Sequence, residues 1–436
     1  MNVTILGTGY VGLVSGTCFS EFGFEVCCVD KDIDKINNLN LGIMPIYEPG
    51  LKTLVNKNRD AGRLNFSNDI NKNIKNADII FIAVGTPARR GDGHADLKYI
   101  YEATEQIAKN LNQYTVIVTK STVPVGTGDE VKKLIKKINP SADFDMVSNP
   151  EFLREGNAID DFMKPDRVVV GVESERAKEV MSTIYKPLFL IETPIVYTDL
   201  KTAELIKYSA NAFLAVKISF INQIADLCEK VGADVHDISR GMGLDKRIGS
   251  KFLHPGPGYG GSCFPKDTLA LVQTAKTHNI DLSIVKTTIG YNEKRKSKMA
   301  DKIIENLGNN LSNQKVAILG LAFKPGTDDM RDSPALEIIP RLLKEGITIS
   351  AFDPEAMNEA KLLLSDIQFS DTMEDCLQGA DALVILTEWN EFRGLTVSKL
   401  KGLLKGKILI DLRNALNREN FEDSDFTLVQ IGRSSK

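Results

Sequence analysis

The hydrophobic and polar positions of the chain follow a repeating rhythm of short apolar runs and longer amphipathic stretches. Apolar runs at 3–6, 25–29, 78–84, 115–120 and 146–148 predict strands, and each ends in a turn. Helix-like patterns separate these runs. This alternation predicts an α/β fold in which a parallel sheet is doubly wound by helices.

The same rhythm returns near the end of the chain. Apolar runs at 315–323, 347–353, 382–386 and 408–411 predict a second doubly wound domain, which lacks the full glycine signature of the first. Its predicted strand ends carry three cations, Lys324, Arg331 and Arg413. Such cations suit phosphate groups, so we expect this domain to bind a nucleotide in its own way.

A helical pattern without Pro or Gly runs from Asp199 to about Lys230 and is apolar on most sides. It predicts a helix buried at the centre of the molecule or at a subunit interface. Lys207 and Asn211 share one face of it. They present donors to an anionic group, or Lys207 snorkels at the helix edge.

Three regions are therefore expected: a Rossmann domain over 1–198, a central helical region over 199–300 and a second Rossmann-like domain over 301–436. The Lys- and Asn-rich segment 65–76 is expected to be only a solvated surface.

A glycine-rich turn follows the first predicted strand. Gly7-Thr8-Gly9-Tyr10-Val11-Gly12 leads into a helix-like segment, and Asp30 ends the second strand. In this context the motif predicts a dinucleotide, with its pyrophosphate at the helix N-terminus and its ribose hydroxyls on the acid. The acid favours NAD over NADP, while Lys31 and Lys35 leave a 2′-phosphate open.

Three further turns follow predicted strands: Gly85-Thr86-Pro87, the segment 121–127 with Thr122, and the segment 149–156 with Glu151. Ligands bind beyond the carboxyl ends of parallel strands, so these turns are expected around one cleft. Alternatively, Thr122 and Glu151 are ordinary turn and cap residues.

A second glycine-rich loop, 256–261, ends on Ser262, Cys263 and Pro265. With Ser262 as N-cap, Cys263 would lie in the first turn of a helix, where the helix dipole and Lys266 favour its thiolate. Asp267 would share its face, so the pattern predicts covalent catalysis by a thiol. The alternative is a buried structural cysteine.

Composition limits the remaining classes of function. A chain of 436 residues should form two or three domains, and its net charge of −4, without a basic stripe, favours neither nucleic acid nor a membrane surface as partner. The first residues do not resemble a signal peptide, and no run is long and apolar enough for a bilayer. Six scattered cysteines predict neither disulfides nor a zinc site, so we expect a cytoplasmic protein without metal.

From residue 2 to about residue 414 the chain resembles the UDP-glucose/GDP-mannose dehydrogenase family, and within it the UDP-glucose 6-dehydrogenases. The resemblance rests on the motifs GTGYVG, VGTP, STVPVGT, NPEFLREG, ELIKYSANAFLA, FLHPGPGYGGSCFPKD, GLAFKPGTDDMRDSP and IDLRN. It implies an N-terminal NAD domain, a central helical dimerisation region and a C-terminal UDP-binding domain. The implied partners are UDP-glucose and a second copy of the chain, and the implied reaction converts UDP-glucose to UDP-glucuronate with two NAD⁺ and no metal.

The resemblance also implies roles for individual residues. Cys263 would be the nucleophile, Lys207 and Asn211 would bind the sugar and stabilise the oxyanion, Asp267 would handle protons through a water, and Glu151 with Thr122 would assist hydrolysis. The residues implied for NAD are Gly7, Gly9, Val11, Gly12, Asp30, Lys35, Thr86, Thr122, Glu155, Lys266 and Arg331. Those implied for the UDP-sugar are Glu151, Phe152, Leu153, Arg154, Glu155, Lys207, Asn211, Phe252, Leu253, His254, Pro255, Gly256, Gly260, Lys324 and Arg413, with Arg247 reaching across the dimer.

Two alternatives remain at this stage. A sister enzyme acting on GDP-mannose or a UDP-N-acetylhexosamine would share the fold, the cofactor and the cysteine. A regulatory or scaffolding NAD-binding protein without catalysis would be expected to lack Cys263, Lys207 or Asp267, and all three are present.

Overall fold

The computed structural model describes residues 1–87, 89, 93–312 and 314–433. The chain divides into two compact units, one formed by residues 1–210 and 269–280 and the other by 211–268 and 281–436. The boundary falls inside two helices, Leu200–Val231 and Phe264–Thr277. The three-region division at residues 198 and 300 stays a prediction, and its first and third regions include a few residues outside this description.

The described part of the first unit contains one eight-stranded sheet with the order β3-β2-β1-β4-β5-β6-β7-β8. Neighbouring strands are parallel except β6 and β7, which are antiparallel. The strands are β1 (Asn2–Leu6), β2 (Glu25–Val29), β3 (Leu64–Ser67), β4 (Ile79–Ile82), β5 (Thr115–Thr119), β6 (Phe144–Ser148), β7 (Val168–Val172) and β8 (Ile195–Thr198). The sequence pattern indicated five of these strands and missed β3, β7 and β8.

Helices cover both faces of this sheet. They are α1 (Tyr10–Glu21), α2 (Ile33–Asn40), α3 (Leu51–Asp60), α4 (Ile70–Lys75), α5 (Lys98–Asn110), α6 (Thr127–Ile138), α7 (Ala158–Met163) and α8 (Glu175–Ile184), with a 3-10 helix at Lys186–Ile191. Strand β4 shows why two layers are needed. Ile79 and Phe81 enter one core and Ile80 and Ile82 the other, so both faces of the strand are buried.

The expectation for segment 65–76 was wrong. Residues 65–67 belong to β3, and Ile70–Lys75 forms α4. Phe66 and Ile74 are buried, while the Lys and Asn side chains mark the outward faces of both elements. A few apolar residues at the right spacing anchor a short strand and a short helix despite polar neighbours.

The described part of the second unit contains a six-stranded sheet with the order β11-β10-β9-β12-β13-β14, all parallel. Its strands are β9 (Lys315–Leu319), β10 (Thr348–Phe352), β11 (Gln368–Phe369), β12 (Ala382–Ile385), β13 (Ile408–Asp411) and β14 (Thr427–Gln430). This order repeats that of β1 to β6 in the first unit, so the prediction of two doubly wound sheets is confirmed.

The remaining helices follow the first sheet in the chain. They are α9 (Leu200–Val231), α10 (Val235–Gly243), α11 (Phe264–Thr277), α12 (Ser283–Leu307), α13 (Ala335–Lys344), α14 (Met357–Leu363), α15 (Met373–Leu377), α16 (Asn390–Arg393) and α17 (Val397–Leu403), with a 3-10 helix at Arg418–Phe421. Within the described chain, no helix combines the length and apolar character needed to cross a membrane.

The long helix α9 matches the predicted pattern over its whole length. Ala215 and Ile221 are fully buried, whereas Phe213, Phe220 and Leu227 are exposed by 65%, 45% and 55%. These three exposed side chains recur every seven residues and therefore form one apolar stripe along the helix. Burial is thus confined to one side of α9 within this chain.

Candidate active site

The glycines of the first turn have distinct structural tasks. Gly7 has φ of 101°, in the left-handed region that favours glycine. A Cβ on Gly12 would lie 1.9 Å from the carbonyl oxygen of Gly7, so a side chain at position 12 would clash with the turn and push it away from the start of α1. A Cβ on Gly9 would meet no atom within 4 Å. The start of α1 is therefore open on the side of Gly9, as the approach of a ligand's pyrophosphate requires.

Asp30 lies at the end of β2 and is tied to the same turn. The backbone N–H and the hydroxyl of Thr8 both donate to Oδ2 of Asp30, at 2.9 and 2.7 Å, and Lys35 Nζ lies 3.4 Å away. Burial alone would raise the pKa of Asp30, but the Thr8 hydrogen bonds outweigh it and lower the pKa below its usual range. Asp30 is therefore held ionised, ready to accept from sugar hydroxyls.

A cavity of about 740 Å³ opens at this edge of the first sheet. Its walls include Gly7, Gly9, Asp30, Lys35 and Gly85, from the carboxyl ends of β1, β2 and β4. The strand order reverses between β1 and β4, which is where ligands bind in open α/β sheets. Its volume lies within the range of small-molecule and cofactor sites.

The turns after β4 and β5 touch one another. The hydroxyl of Thr86 donates to the carbonyl oxygen of Thr122 at 2.9 Å, and both residues are nearly buried. The expectation that these strand-end turns lie together holds for this pair.

Glu151 and Lys207 form a buried ion pair in the first unit. Lys207 Nζ lies 3.3 Å from Oε1 of Glu151, and both side chains are more than nine-tenths buried. The ammonium also lies 5.1 Å from the centre of the Phe152 ring, and Oε2 of Glu151 accepts from the N–H of Leu153 at 2.5 Å. Lys207 from a helix and Glu151 from the loop after a strand thus form a pair of charges shielded from water. A buried ammonium such as that of Lys207 is suited to stabilising a developing oxyanion.

The remainder of the 149–156 loop is held by carboxylates. Asp161 binds the backbone and guanidinium of Arg154. Glu48 accepts from the N–H of Gly156 at 2.7 Å and of Ala158 at 2.8 Å, and also from the Tyr10 hydroxyl. Burial and the Glu48 carboxylate raise the pKa of Tyr10. Glu48 therefore fastens this loop to the first turn of α1.

In the second unit Cys263 directly precedes α11, which begins at Phe264. Its carbonyl accepts from the N–H of Asp267 at 2.8 Å. Cys263 therefore occupies the N-cap position, one residue earlier in the helix than expected, and Ser262 lies before it. The Ser262 hydroxyl is 3.5 Å from the Cys263 sulfur.

Asp267 lies one turn into α11 and is 1% exposed. Asn211 donates from Nδ2 to its Oδ2 at 2.6 Å, and Lys266 donates from Nζ to its Oδ1 at 2.6 Å. Both carboxylate oxygens of Asp267 are therefore fixed by donors. This arrangement favours Asp267 as an orienting group over a mobile base for Cys263.

Buried side chains hydrogen-bond to the backbone of the second glycine loop at two residues, Gly256 and Tyr259. Asn292 accepts from the N–H of Tyr259 at 2.8 Å and donates to its carbonyl at 3.0 Å. Gly256 donates to Asn222 at 2.8 Å and accepts from Arg295 at 3.1 Å. Helices α9 and α12 thus determine the backbone path that leads to Cys263.

Close packing explains another glycine of this loop. A Cβ on Gly260 would lie 2.4 Å from the carbonyl oxygen of Asp332. Earlier in the chain, Leu253 and Pro255 are buried while His254 is exposed, and Phe252 has a φ of 63° and packs on Phe264.

The three cations after the strands of the second sheet differ in their surroundings. Arg413 donates to the carbonyls of Leu386 and Phe323, both at 2.8 Å, so it bridges the turns after β9 and β12. Arg331 pairs with Asp329, and Lys324 is half-buried beside the Phe323 ring. Arg413 also lies close to Gly256, where a Cβ would be 3.0 Å from its Nη1.

Arg247 follows α10 and precedes the 256–261 loop in the chain. Its backbone N–H and its guanidinium both donate to the Asp245 carboxylate, and its side chain is 89% exposed. Its guanidinium is therefore presented to solvent within this chain.

All six cysteines carry thiols rather than disulfides. Burial raises the pKa of Cys27 and Cys376 to about 11 and also raises that of Cys18, Cys28 and Cys228. These five are thereby held as unreactive thiols. Cys263 differs from them in its position at the start of a helix.

The domain order of the chain matches known sequence families. Residues 1–189, 201–294 and 317–418 match the NAD binding domain, the central domain and the UDP binding domain of the UDP-glucose/GDP-mannose dehydrogenase family. The chain belongs to this family. Its resemblance to that family is thereby confirmed, as is its nature as an enzyme, an oxidoreductase.

Individual members of the UDP-glucose/GDP-mannose dehydrogenase family align over nearly the whole chain. The UDP-glucose 6-dehydrogenase of Rhizobium meliloti (strain 1021) is 55% identical, over 99% of this chain and 100% of its own. A UDP-glucose dehydrogenase structure from Pyrobaculum islandicum superposes with a TM-score of 0.91 at 34% identity, covering 99% of this chain and 98% of its own. A UDP-D-ManNAc dehydrogenase structure from Pyrococcus horikoshii gives 0.86 at 26% identity, with both chains fully covered.

The expected cofactor NAD is confirmed by the match to the family's NAD binding domain. The first unit fits this cofactor: the cavity is of suitable size, Gly9 leaves the helix start open, and Asp30 is an ionised acceptor. The UDP binding domain over residues 317–418 supports a UDP-sugar as the bound substrate.

Several buried polar residues were not identified from the sequence. They are Glu48, Lys120, Asn149, Tyr185, Glu204, Asn222, Asn292 and Arg295. Apart from Arg295 and Tyr185, each is a polar residue of a turn or helix that resembles an ordinary surface residue in sequence. Lys120 and Asn149 carried a positional signal, because they directly follow β5 and β6 at the carboxyl ends of these strands.

Proposed function

We propose that this dehydrogenase oxidises UDP-glucose at C6 to UDP-glucuronate and uses Cys263 as the covalent tether. The observation that carries the proposal is the thiol at the N-cap of α11, one turn before a buried Asp267 whose two oxygens are held by Asn211 and Lys266. The identity to a UDP-glucose 6-dehydrogenase over the full chain supports UDP-glucose as the sugar nucleotide.

NAD⁺ supplies the hydride acceptor for each of two successive oxidations. In the first, the C6 alcohol becomes an aldehyde, and the buried Lys207 ammonium stabilises the alkoxide character that develops on its oxygen. Asn211 shares this role through its amide, and its bond to Asp267 fixes its orientation.

The aldehyde is then retained on the protein. The Cys263 thiolate adds to the carbonyl carbon and gives a thiohemiacetal, which the second oxidation converts to a thioester. A water held by Thr122 and assisted by Glu151 attacks the thioester, the carbon–sulfur bond breaks, and the carboxylate product leaves. The balance is R–CH₂OH + 2 NAD⁺ + H₂O → R–COO⁻ + 2 NADH + 3 H⁺.

Binding residues are proposed for both ligands. NAD is assigned to Gly7, Gly9, Val11, Gly12, Asp30, Lys35, Thr86, Thr122, Glu155, Lys266 and Arg331. The UDP-sugar is assigned to Glu151, Phe152, Leu153, Arg154, Glu155, Lys207, Asn211, Phe252, Leu253, His254, Pro255, Gly256, Gly260, Lys324 and Arg413.

A homodimer is part of the proposal. The stripe of Phe213, Phe220 and Leu227 on α9 is a large apolar surface for a single chain to expose, and a second copy of the same helix is a self-complementary cover for it. The exposed Arg247 is then available to reach the partner's substrate. Sedimentation of the wild type and of Phe213→Glu tests this; an unchanged dimer in the variant, or a monomeric wild type, would contradict it.

The cytoplasm is the proposed location, because a working thiol requires a reducing compartment.

The substrate assignment is tested by measuring NADH release against a panel of UDP- and GDP-sugars. We expect two NADH per UDP-glucose consumed. A stoichiometry of one, or turnover only with UDP-N-acetylmannosamine or GDP-mannose, would overturn the choice of substrate.

The tether is tested with Cys263→Ser, which should lose carboxylate formation while still binding UDP-glucose. Cys27→Ser is the matched control, since Cys27 is also half-buried and has no assigned role. Full activity of Cys263→Ser would mean that the cysteine is only structural.

A further inference from the structure

Lys120 is a buried lysine that the proposed mechanism does not use. It follows β5 directly and is 4% exposed. Its Nζ donates to Oδ1 of Asn149 at 2.9 Å and to the Tyr185 hydroxyl at 3.2 Å. Both acceptors are neutral, and no carboxylate of the described residues forms an ion pair with it.

The neighbours of Lys120 are themselves fixed. The Tyr185 hydroxyl donates to Oδ1 of Asn149 at 2.6 Å, and the Asn149 amide donates to the carbonyl of Val169 at 2.7 Å. The amide orientation of Asn149 is therefore set, with its oxygen turned to Lys120. The Lys120 amine is therefore held in one place by two groups that carry no negative charge to balance its own positive charge.

Burial, modified by the charged groups around it, brings the pKa of Lys120 close to neutral pH. Burial lowers the pKa of Lys120 to about 7; the Glu151 carboxylate acts in the opposite direction, and the Lys207 ammonium adds to the lowering. Arg167 and Asp161 border the same space. A lysine in such surroundings exchanges its proton in the range where enzymes work.

A small cavity is lined by both Lys120 and the proposed catalytic residue Glu151. Its volume is about 40 Å³, and Lys120, Asn149, Tyr185, Glu151 and Arg167 contribute to its walls. One buried water needs roughly 10–15 Å³ and two to four polar partners, so the cavity has room and partners for a water. A water in this cavity would border both Lys120 and Glu151.

We propose that Lys120 is the proton acceptor behind Glu151, receiving through this cavity water the proton that Glu151 removes during thioester hydrolysis. The inference rests on the proposed function and assigns Glu151 a partner within it. Lys120 acts through Glu151 and does not touch the substrate.

The transfer balances without another reactant. As the water oxygen bonds to the thioester carbon, one O–H bond breaks and its proton goes to Glu151, and the carbon–sulfur bond then breaks with its electron pair on Cys263. The carboxylic acid and the neutral amine next exchange that proton, –COOH + –NH₂ → –COO⁻ + –NH₃⁺. The second water proton leaves when the acid product ionises, and the ammonium releases its proton to solvent before the next turnover.

The test compares the pH dependence of kcat in wild type, Lys120→Met and Lys120→Arg. In the wild type kcat should rise as pH increases through about 7, because the neutral amine is the accepting form. Met cannot accept a proton and Arg stays protonated, so both variants should lose that inflection and roughly 10- to 100-fold in kcat. Wild-type pH dependence in both variants would overturn the proposal.

Intact-mass measurement during turnover identifies the step that is affected. Slow hydrolysis in Lys120→Met should leave Cys263 carrying the substrate-derived adduct, while the first NADH forms at the wild-type rate. Slower formation of the first NADH in Lys120→Met would overturn the inference, since Lys120 would then act before thioester hydrolysis. Tyr185→Phe removes one hydrogen-bond acceptor of Lys120 but keeps the amine, so it should retain the inflection in the pH profile. Loss of the inflection in Tyr185→Phe would mean that the effect of the Lys120 variants is structural.

Failure of the underlying function gives a different result. If the wild type neither oxidises UDP-glucose nor becomes modified at Cys263, the proposed function is wrong. If the wild type turns over and the Lys120 variants keep its pH profile, only the proposed role of Lys120 is wrong.

Discussion

Asn211 of α9 donates a 2.6 Å hydrogen bond from Nδ2 to Oδ2 of Asp267 in α11. Both side chains are buried, and the second oxygen of Asp267 is taken by Lys266. The carboxylate next to the candidate nucleophile is thus oriented by an amide from one side and an ammonium from the other. The orientation of Asn211 follows from this bond, since a carboxylate accepts only from its NH₂ group.

Asn211→Asp should create a pH-dependent defect. The new carboxylate would face Asp267 at hydrogen-bond distance, and two such groups cannot both ionise cheaply, so the pair would share a proton. We expect kcat to fall at least about tenfold near pH 8 and to recover partly near pH 6, where the shared proton restores the contact. Steady-state rates across pH provide the measurement.

Asn306→Asp serves as the control, because Asn306 is exposed on α12. It should follow the wild-type profile. A defect in Asn211→Asp that does not vary with pH would argue against the hydrogen bond as the important contact.

Lys207→Ala should lower kcat far more than it raises the KM for UDP-glucose. The ammonium is expected to act on charge that develops in the transition state, and such a contact affects kcat. Lys201→Ala on the same helix is the matched control, since Lys201 is exposed and forms its ion pair with Asp129. A change confined to KM would make Lys207 a simple binding residue.

The same substitution has a consequence for stability. Removing Lys207 leaves the Glu151 carboxylate buried without its cation, which costs about 3–5 kcal/mol for a buried pair. Adding Glu151→Gln should recover much of the lost stability and none of the activity. Urea unfolding of the single and double variants separates the two effects.

The parts of the site that the sequence predicted depend on short-range geometry. The Gly7–Gly12 turn follows a strand and precedes a helix, so its conformation is set by neighbours that the sequence shows. The same is true of Cys263 and Asp267, whose four-residue spacing places them one helical turn apart whether the helix starts at Ser262 or, as observed, one residue later.

The contacts that were not predicted join segments far apart in the chain. Glu151 and Lys207 were each identified, but their pairing depends on how α9 packs beside the loop that follows β6. Glu48 and Asn292 resemble surface residues in sequence, because nothing local shows that their side chains are buried. Strand β7 is antiparallel to β6, and its pairing is set by the fold and not by its own apolar pattern.

Asn292→Leu should loosen the loop that leads to Cys263. It removes the acceptor for the N–H of Tyr259 and the donor to its carbonyl, and each unmet buried group costs about 1–3 kcal/mol. We expect faster hydrogen exchange in residues 256–262 and a lower kcat, with the KM for NAD⁺ unchanged. Exchange followed by mass spectrometry gives the decisive reading.

Thr288→Val provides the control one turn earlier on α12, where the hydroxyl donates to the carbonyl of Ile284 in the same helix. It should leave exchange and kcat as in the wild type. An unchanged loop in Asn292→Leu would show that Asn222 and Arg295 suffice to hold it.

Glu204 introduces a pH dependence of stability. Its side chain is 2% exposed and accepts from the N–H groups of Gly126 at 2.6 Å and Gly128 at 2.8 Å, at the start of α6. Burial raises its pKa to about 7 against the lowering effect of those bonds; Asp129 adds to the rise and Lys201 opposes it. The native state therefore keeps the proton to a higher pH than the unfolded chain.

Because the native state binds more protons between about pH 4.5 and 7, its stability falls as pH rises through that range. Glu204→Gln cannot titrate, so its stability relative to the wild type should increase from acid to alkaline pH, by up to about 3 kcal/mol. Urea unfolding followed by circular dichroism at several pH values measures this difference, and Glu305→Gln, at an exposed position of α12, should show none. A difference that stays constant with pH would mean that the two backbone donors keep Glu204 ionised throughout, and that its function is to cap α6 as a carboxylate.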